Sequence, residues 1–165
     1  MTADTIVSQP DVQNSVWYGS ALVSLLVSAE ATGGRYSLVR VHIQRAFTPA
    51  PHRHGPEAFY ILKGQLRFEV GDREIVAKSG DFVDIPPQTW HTFTVESEEA
   101  EYLIICSPPG IEQLFFRAGK PAESLQLPAG RVGPPDLAKV QAIASELGIE
   151  VARPGTSVKE QSRMA

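Results

Sequence analysis

The stretch His52–Gly64 reads HRHGPEAFYILKG, and a later stretch, Gly80–His91, reads GDFVDIPPQTWH. The first has two histidines separated by one residue and a glutamate three positions after the second histidine. The second ends in a further histidine. In an extended segment, side chains two residues apart project to the same side, because strand side chains alternate with a period of two. The pattern therefore indicates strands that present imidazoles to a common site.

The three histidines are His52, His54 and His91, and the chain has only four in all. With Glu57 they form a set of three imidazoles and one carboxylate. Such nitrogen and oxygen ligands suit a divalent metal such as Fe, Ni, Mn, Co or Zn. A metal centre is therefore the leading hypothesis, and positions left to water or substrate would make it catalytic rather than structural.

Size and composition describe an ordinary globular chain. The 165 residues fit one domain, with 42% hydrophobic and 21% charged residues. The net charge is −4, so there is no basic surplus to neutralise phosphates and no nucleic-acid partner is expected. The lone Cys106 excludes an internal disulfide and is interpreted as a small buried hydrophobe.

Targeting and membrane signals are weak in this sequence. The first ten residues, MTADTIVSQP, contain neither a basic region nor an apolar run of the secretory kind. The longest apolar stretch, Ala21–Ala29, is well short of the ~20 residues that a membrane span needs. We therefore expect a cytoplasmic protein without a membrane partner.

Short strand patterns separated by turn residues dominate the first two thirds of the chain. About eight to ten such strands, with turns every eight to twelve residues, predict an all-β sandwich or barrel. The predicted strands are Ala21–Ser28, Tyr36–Arg45, Glu57–Leu62, Gln65–Val70, Glu74–Ala77, Asp81–Ile85, Thr92–Glu96 and Tyr102–Cys106.

After the last predicted strand, the apolar residues recur with the spacing of helices. A short helix is predicted over Gly110–Arg117 and a longer one over Pro135–Leu147, with Gly148 as its C-terminal stop. The predicted organisation is a flexible arm (1–16), a barrel (17–108), a helical extension (109–152) and a disordered tail (153–165).

Both quoted stretches resemble the two motifs of the cupin superfamily. The first reads His-x-His-x2-Glu-x6-Gly and the second reads Gly-x5-Pro-x4-His, with fifteen residues between Gly64 and Gly80. Phrases such as EAFYILKG and TWHTF are similar to those of single-domain quercetin-dioxygenase-like cupins. The resemblance implies a small jelly-roll β-barrel with a short helix after it and a C-terminal helix.

The resemblance also implies a ligand set and a chemistry. The implied metal ligands are His52, His54, Glu57 and His91, which would hold one divalent ion, with Fe(II) or Ni(II) favoured. Only two residues separate His54 from Glu57, where the family usually has three or four, so Glu57 is either a ligand or a catalytic base beside the metal. The glycine that the family places two residues after Pro86 is Gln88 here.

The reaction implied by the resemblance is oxygenation of an enol or flavonol-like small molecule chelated to the metal, with O2 as co-substrate. A non-oxidative lyase, decarboxylase or isomerase is the second interpretation, and a ligand-binding domain without turnover is the third. A homodimer that involves the N-terminal strand, residues 17–28, is also expected.

Strand alternation suggests which residues lie on the same side of their strands as the predicted ligands. Phe59 and Ile61 are an even number of residues from Glu57, and Phe93 is two residues from His91, so each lies on the same side of its strand as a predicted ligand. These three residues are therefore predicted to line a substrate pocket. Arg40 and His42 share one face of their strand. That face is either turned to solvent or turned to the barrel interior, where the two side chains would orient a substrate.

Overall fold

The computed structural model describes residues 5–45, 48–129 and 136–164. Twelve strands are present in these ranges, with three α-helices and a short 3-10 helix at Val12–Asn14. The strands are β1 (Ser15–Tyr18), β2 (Ala21–Val27), β3 (Ser37–Gln44), β4 (His52–Arg53), β5 (Glu57–Lys63), β6 (Gln65–Val70), β7 (Arg73–Lys78), β8 (Phe82–Ile85), β9 (His91–Val95), β10 (Glu99–Cys106), β11 (Lys120–Pro121) and β12 (Glu150–Val151). The helices are α1 (Gln113–Ala118), α2 (Leu137–Glu146) and α3 (Val158–Met164).

The strands form two antiparallel sheets. One has seven strands in the order β11-β1-β2-β3-β10-β5-β8, and the other has five in the order β12-β4-β9-β6-β7. Strands distant in sequence, such as β3 and β10, are neighbours along their whole length. Such long-range antiparallel pairing in two sheets is typical of a jelly roll, and the predicted all-β class is confirmed.

The hydrophobic core lies between the two sheets. On β3, the alternate residues Val39, Val41 and Ile43 are at most 2% exposed. They share one core cluster with Leu66 and Phe68 of the five-stranded sheet. The alternation therefore buries one face of each sheet against the other.

Several predicted elements change their limits in the structure. β10 begins at Glu99 rather than Tyr102 because it pairs with β3 as far as Gln44. Helices α1 and α2 occupy the predicted helical regions. Residues 1–4 of the predicted arm, Pro135 of the predicted second helix and Ala165 of the predicted tail lie outside the described residues.

The predicted disordered tail, residues 153–165, contains helix α3 instead. Ser157 and Glu160 cap it reciprocally, since the Glu160 Oε2 accepts from the Ser157 backbone N–H and the Ser157 Oγ accepts from the Glu160 N–H. Val158 is fully buried in a small cluster with Trp90 and Ala152. Capping and burial together offset the entropy that would otherwise keep this polar segment disordered.

No helix within the described ranges is long and apolar enough to span a bilayer.

Candidate metal centre

The four predicted ligands come from three strands and one loop. His52 lies on β4, His91 on β9 and Glu57 on β5, while His54 follows β4 directly. His52 and His91 are cross-strand partners in the five-stranded sheet. Glu57 belongs to the seven-stranded sheet, so the site bridges both sheets.

The ligand atoms of these four side chains converge. Each residue offers one atom, and these atoms all lie within 4.8 Å of one another. The Glu57 Oε1 is 3.3 Å from the His91 Nε2 and 3.6 Å from the His54 Nε2. His54, Glu57 and His91 are buried, and His52 is half-buried.

Backbone carbonyls set the tautomer of each imidazole. The Nδ1 atoms of His52, His54 and His91 lie 2.8, 2.7 and 2.8 Å from the carbonyl oxygens of Ala50, Gly55 and Thr89, respectively. A carbonyl can only accept, so each Nδ1–H donates and each Nε2 of a neutral ring keeps its lone pair. Metal-binding histidines are oriented by this arrangement in other proteins.

Burial disfavours charge on every member of the set. Desolvation lowers the pKa of His52 to about 3 and also lowers the pKa of His54 and of His91. Desolvation raises the pKa of the Glu57 carboxyl. The neutral rings of His54 and His91 then present their Nε2 lone pairs beside the Glu57 Oε1. The site therefore brings together electron-pair donors and contains no cationic side chain among its four members. A divalent cation fits such a donor set, because it supplies the missing positive charge.

The short spacing between His54 and Glu57 is accommodated by the neighbouring loop. The His54 carbonyl accepts a hydrogen bond from the Gln88 N–H at 2.7 Å. Gln88 has a φ of 60° and follows Pro87 in a turn of type II character, which requires positive φ at its third residue. Gln88 thus adopts the left-handed backbone for which the family uses glycine, and the turn survives the substitution.

Phe59, Ile61 and Phe93 lie on the inner face with the ligands. All three belong to the main core cluster. The Phe59 and Phe93 rings are 6.1 Å apart, and each lies within 6 Å of Tyr102. The structure therefore brings an apolar aromatic group to the same interior as the four predicted ligands.

Arg40 and His42, predicted as pocket residues, are not brought to this site. Their strand buries Val39, Val41 and Ile43, so the opposite parity faces outward. Arg40 donates to Glu101 at 2.5 Å, and the His42 Nε2 is 3.0 Å from Glu99. Both side chains border a separate outer groove of about 280 Å³. The pocket assignment of these two residues is therefore corrected.

Two residues beside the ligands were not among the predicted site residues. Arg53 lies between His52 and His54, and Trp90 immediately precedes His91. The Arg53 guanidinium is 5.0 Å from the centroid of the Trp90 ring. Strand alternation was the available signal, since it turns both side chains to the side opposite the ligands.

Comparison with known proteins gives two relevant similarities in sequence. The family model described as "Cupin domain" matches residues 37–106. Quercetin 2,3-dioxygenase from Bacillus subtilis (strain 168) is 26% identical over 107 residues, which are 64% of this chain and 32% of that protein. The matched region thus spans about a third of the length of this curated relative.

Two solved structures share the fold. An RmlC-like cupin from Shewanella frigidimarina NCIMB 400 is 15% identical with a TM-score of 0.55, covering 66% of this chain and 96% of that one. A predicted oxalate decarboxylase from Thermotoga maritima is 19% identical with a TM-score of 0.52, covering 66% of this chain and 100% of that one. At these identities the similarity supports the fold alone.

Proposed function

We propose that this chain, whose residues 37–106 match the family model described as "Cupin domain", is a cupin and a metal-dependent enzyme. The observation that carries the proposal is the convergence of three imidazoles and one carboxylate within 4.8 Å. The residues proposed to hold one divalent ion are His52, His54, Glu57 and His91.

The proposed reaction is oxygenation of a small organic molecule with an enol or flavonol-like group, with O2 as co-substrate. The similarity to quercetin 2,3-dioxygenase supports this choice over other cupin chemistries. Fe(II) or Ni(II) is the proposed ion, and Mn, Co and Zn also suit the ligand types. When bound, the ion supplies a Lewis-acid centre that holds and polarises the substrate oxygens.

Glu57 has the second proposed role. Its Oε1 lies between two imidazole nitrogens in a buried site, and burial raises the pKa of its carboxyl. This holds for the site without a cation; beside a bound ion the carboxylate is ionised and can act as general base to a substrate hydroxyl within reach. We propose that Glu57 takes the proton of the substrate hydroxyl at Oε1, in addition to holding the ion.

Apolar side chains of the interior have a proposed role in binding. Phe59 and Phe93 offer aromatic surfaces on the inner face that carries the ligands, and such surfaces suit a planar apolar substrate and exclude water. Ile61 lies four residues beyond Glu57 on β5, about 13 Å along the strand. It is therefore proposed to border the far side of the pocket.

Metal analysis tests the first part of this proposal. Protein purified without a histidine tag is expected to contain close to one equivalent of a transition metal, and His52→Ala is expected to lose it. His42→Ala is the matched control, because His42 lies on the outer face. Metal-free wild-type protein that also fails to take up added Fe(II), Ni(II) or Co(II) would contradict the metal centre.

Oxygen uptake tests the second part. The metal-loaded protein is expected to consume O2 with a flavonol, and to lose that activity in His52→Ala. Turnover of an enol substrate under argon would instead indicate a lyase, decarboxylase or isomerase. The homodimer and the cytoplasmic location stay predictions.

A further inference from the structure

We propose that residues 148–164, here called the C-terminal clasp, position the two ligand-bearing strands β4 and β9 from the outside of the barrel. Arg53 and Trp90 are the positioning residues through which the clasp acts. The inference rests on the proposed metal centre and adds to it a segment that follows the cupin domain in the chain.

The clasp first supports β4 through the backbone. β4 has only two residues, and its pairing with β9 consists of His52 opposite His91. On its other edge, β12 of the clasp pairs Val151 with His52 and Glu150 with Arg53. The N–H of Ala152 also donates to the Pro51 carbonyl at 2.8 Å. A two-residue strand that would otherwise be a sheet edge is thus held on both sides.

The clasp also holds both strands through side chains. The Arg53 Nη2 donates to the Glu150 Oε2 at 2.8 Å. The Arg53 guanidinium also lies over the Trp90 ring, and Trp90 is only 7% exposed. Trp90 packs with Ala152 and with Val158 of α3. The result is a layer that joins the residue after His52 to the residue before His91.

Both ends of the clasp are anchored. At the start, Gly148 takes a φ of 70° after α2, and the Ile149 N–H donates to the Ala144 carbonyl at 2.8 Å. At the other end, Ser157 and Glu160 cap α3, and Val158 of that helix is buried in a cluster with Trp90. The clasp is therefore held in a fixed position against the two ligand-bearing strands.

This support matters because ligand geometry limits metal affinity. The groups that orient metal ligands typically change affinity 10–100-fold when they are altered. Since the clasp contacts the outer side of the backbone whose inner side carries His52, His54 and His91, a shift of the clasp displaces the imidazoles. By linkage, a bound metal must stabilise the clasp to the same degree.

Titration of the metal-free full-length chain with Co2+ tests the inference. Arg53→Met removes the Glu150 ion pair and the contact with Trp90 but keeps an aliphatic side chain, and Val158→Ala loosens the clasp without touching a ligand strand. Each is expected to raise the Co2+ dissociation constant on the order of tenfold and to alter the visible spectrum of the bound Co2+. Arg117→Met is the matched control, since it breaks only the Arg117–Glu146 pair between α1 and α2.

Hydrogen exchange on the wild-type chain provides a second measurement that needs no variant. Saturation with Co2+ is expected to slow exchange of the Ala152 N–H, and the same addition to His52→Ala is expected to leave it unchanged. A merely structural clasp would not respond to the metal.

The outcomes separate the two proposals. If wild-type protein binds Co2+ while both variants bind it as tightly as wild type, the clasp inference is overturned and the metal centre stands. Equal weakening in Arg117→Met would also overturn it, because the effect would then be general destabilisation. A wild-type chain that binds no Co2+ would overturn the metal centre and the clasp together.

Discussion

Two histidine–glutamate pairs of this protein have nearly the same geometry and different surroundings. In the candidate metal centre, the His91 Nε2 lies 3.3 Å from the Glu57 Oε1, with side chains 2% and 6% exposed. On the outer face of β3, the His42 Nε2 lies 3.0 Å from the Glu99 Oε2, with side chains 25% and 36% exposed. The residue types and distances alone do not distinguish the pairs.

The difference between the pairs comes from burial and from what surrounds each imidazole. Around His91 the interior adds two further imidazoles, and desolvation keeps all three rings neutral and free to bind a cation. Around His42 water reaches both partners, and Lys63 lies 3.7 Å from the same glutamate. An exposed polar contact of that kind contributes little to stability, about 0–1 kcal/mol.

The largest expected effect comes from removing one imidazole of each pair. His91→Ala should weaken Co2+ or Ni2+ binding by more than about 100-fold, since it removes a ligand rather than a supporting group. His42→Ala should leave affinity within twofold of wild type. Isothermal titration of the metal-free proteins measures both, and circular dichroism verifies that each variant is folded. Equal losses in the two variants would contradict the distinction between the pairs.

The next effect comes from neutralising one carboxyl of each pair. Glu57→Gln keeps the shape of the side chain and one oxygen donor but removes the charge, so we expect a loss of metal affinity of about 10- to 100-fold, smaller than the loss on removing an imidazole. Glu99→Gln is the matched control and should change affinity less than twofold.

Turnover then separates the two roles of Glu57. A Glu57→Gln protein that is saturated with metal but has lost O2 uptake would support the base role. Full activity at saturating metal would contradict that role and leave Glu57 as a ligand alone.

The smallest effect concerns the pH dependence of stability in the metal-free protein. The pKa of His52 is lowered from 6.5 to about 3 by burial, and those of His54 and His91 are lowered too. Below pH 6.5 the unfolded chain therefore binds more protons at these rings than the folded chain does. The free energy of unfolding should fall as the pH drops from 6.5 towards 3.

Glu57 opposes this trend, since its pKa is raised and it favours the folded state at lower pH. It is one carboxyl against three imidazoles, so the net slope should keep the sign that the imidazoles give. Urea unfolding at several pH values measures the slope. His52→Ala should have a shallower slope than wild type, and an unchanged slope would show that His52 titrates normally in the folded state.

Much of the candidate site could be predicted because strand periodicity and motif spacing are local properties. The side chains of His52 and His54 share a face by alternation, and the motif that ends in His91 could be recognised from the order of its residues. Glu57 was less certain, because its reach depends on the turn after His54. The hydrogen bond from Gln88 to the His54 carbonyl, which holds that turn, joins residues 34 positions apart.

Strand alternation could not predict which face of β3 is buried. Alternation separates Arg40 and His42 from Val39, Val41 and Ile43, but which set faces the core depends on the second sheet. The tail shows a different limit. The Ser157–Glu160 capping pattern was present in the sequence, whereas the burial of Val158 beneath Trp90 depends on residues that are 68 positions apart.

The sequence by itself determined the short strands, the turns between them and the identity of the four converging side chains, because these depend on neighbouring residues and on a recognisable motif. Only the tertiary structure decided which face of each strand was buried, how His54 and Glu57 meet at one centre, and that the C-terminal clasp packs behind the ligand strands. These features arise from contacts between distant segments, and burial between the sheets gives the same histidine and glutamate side chains different chemistry at two places.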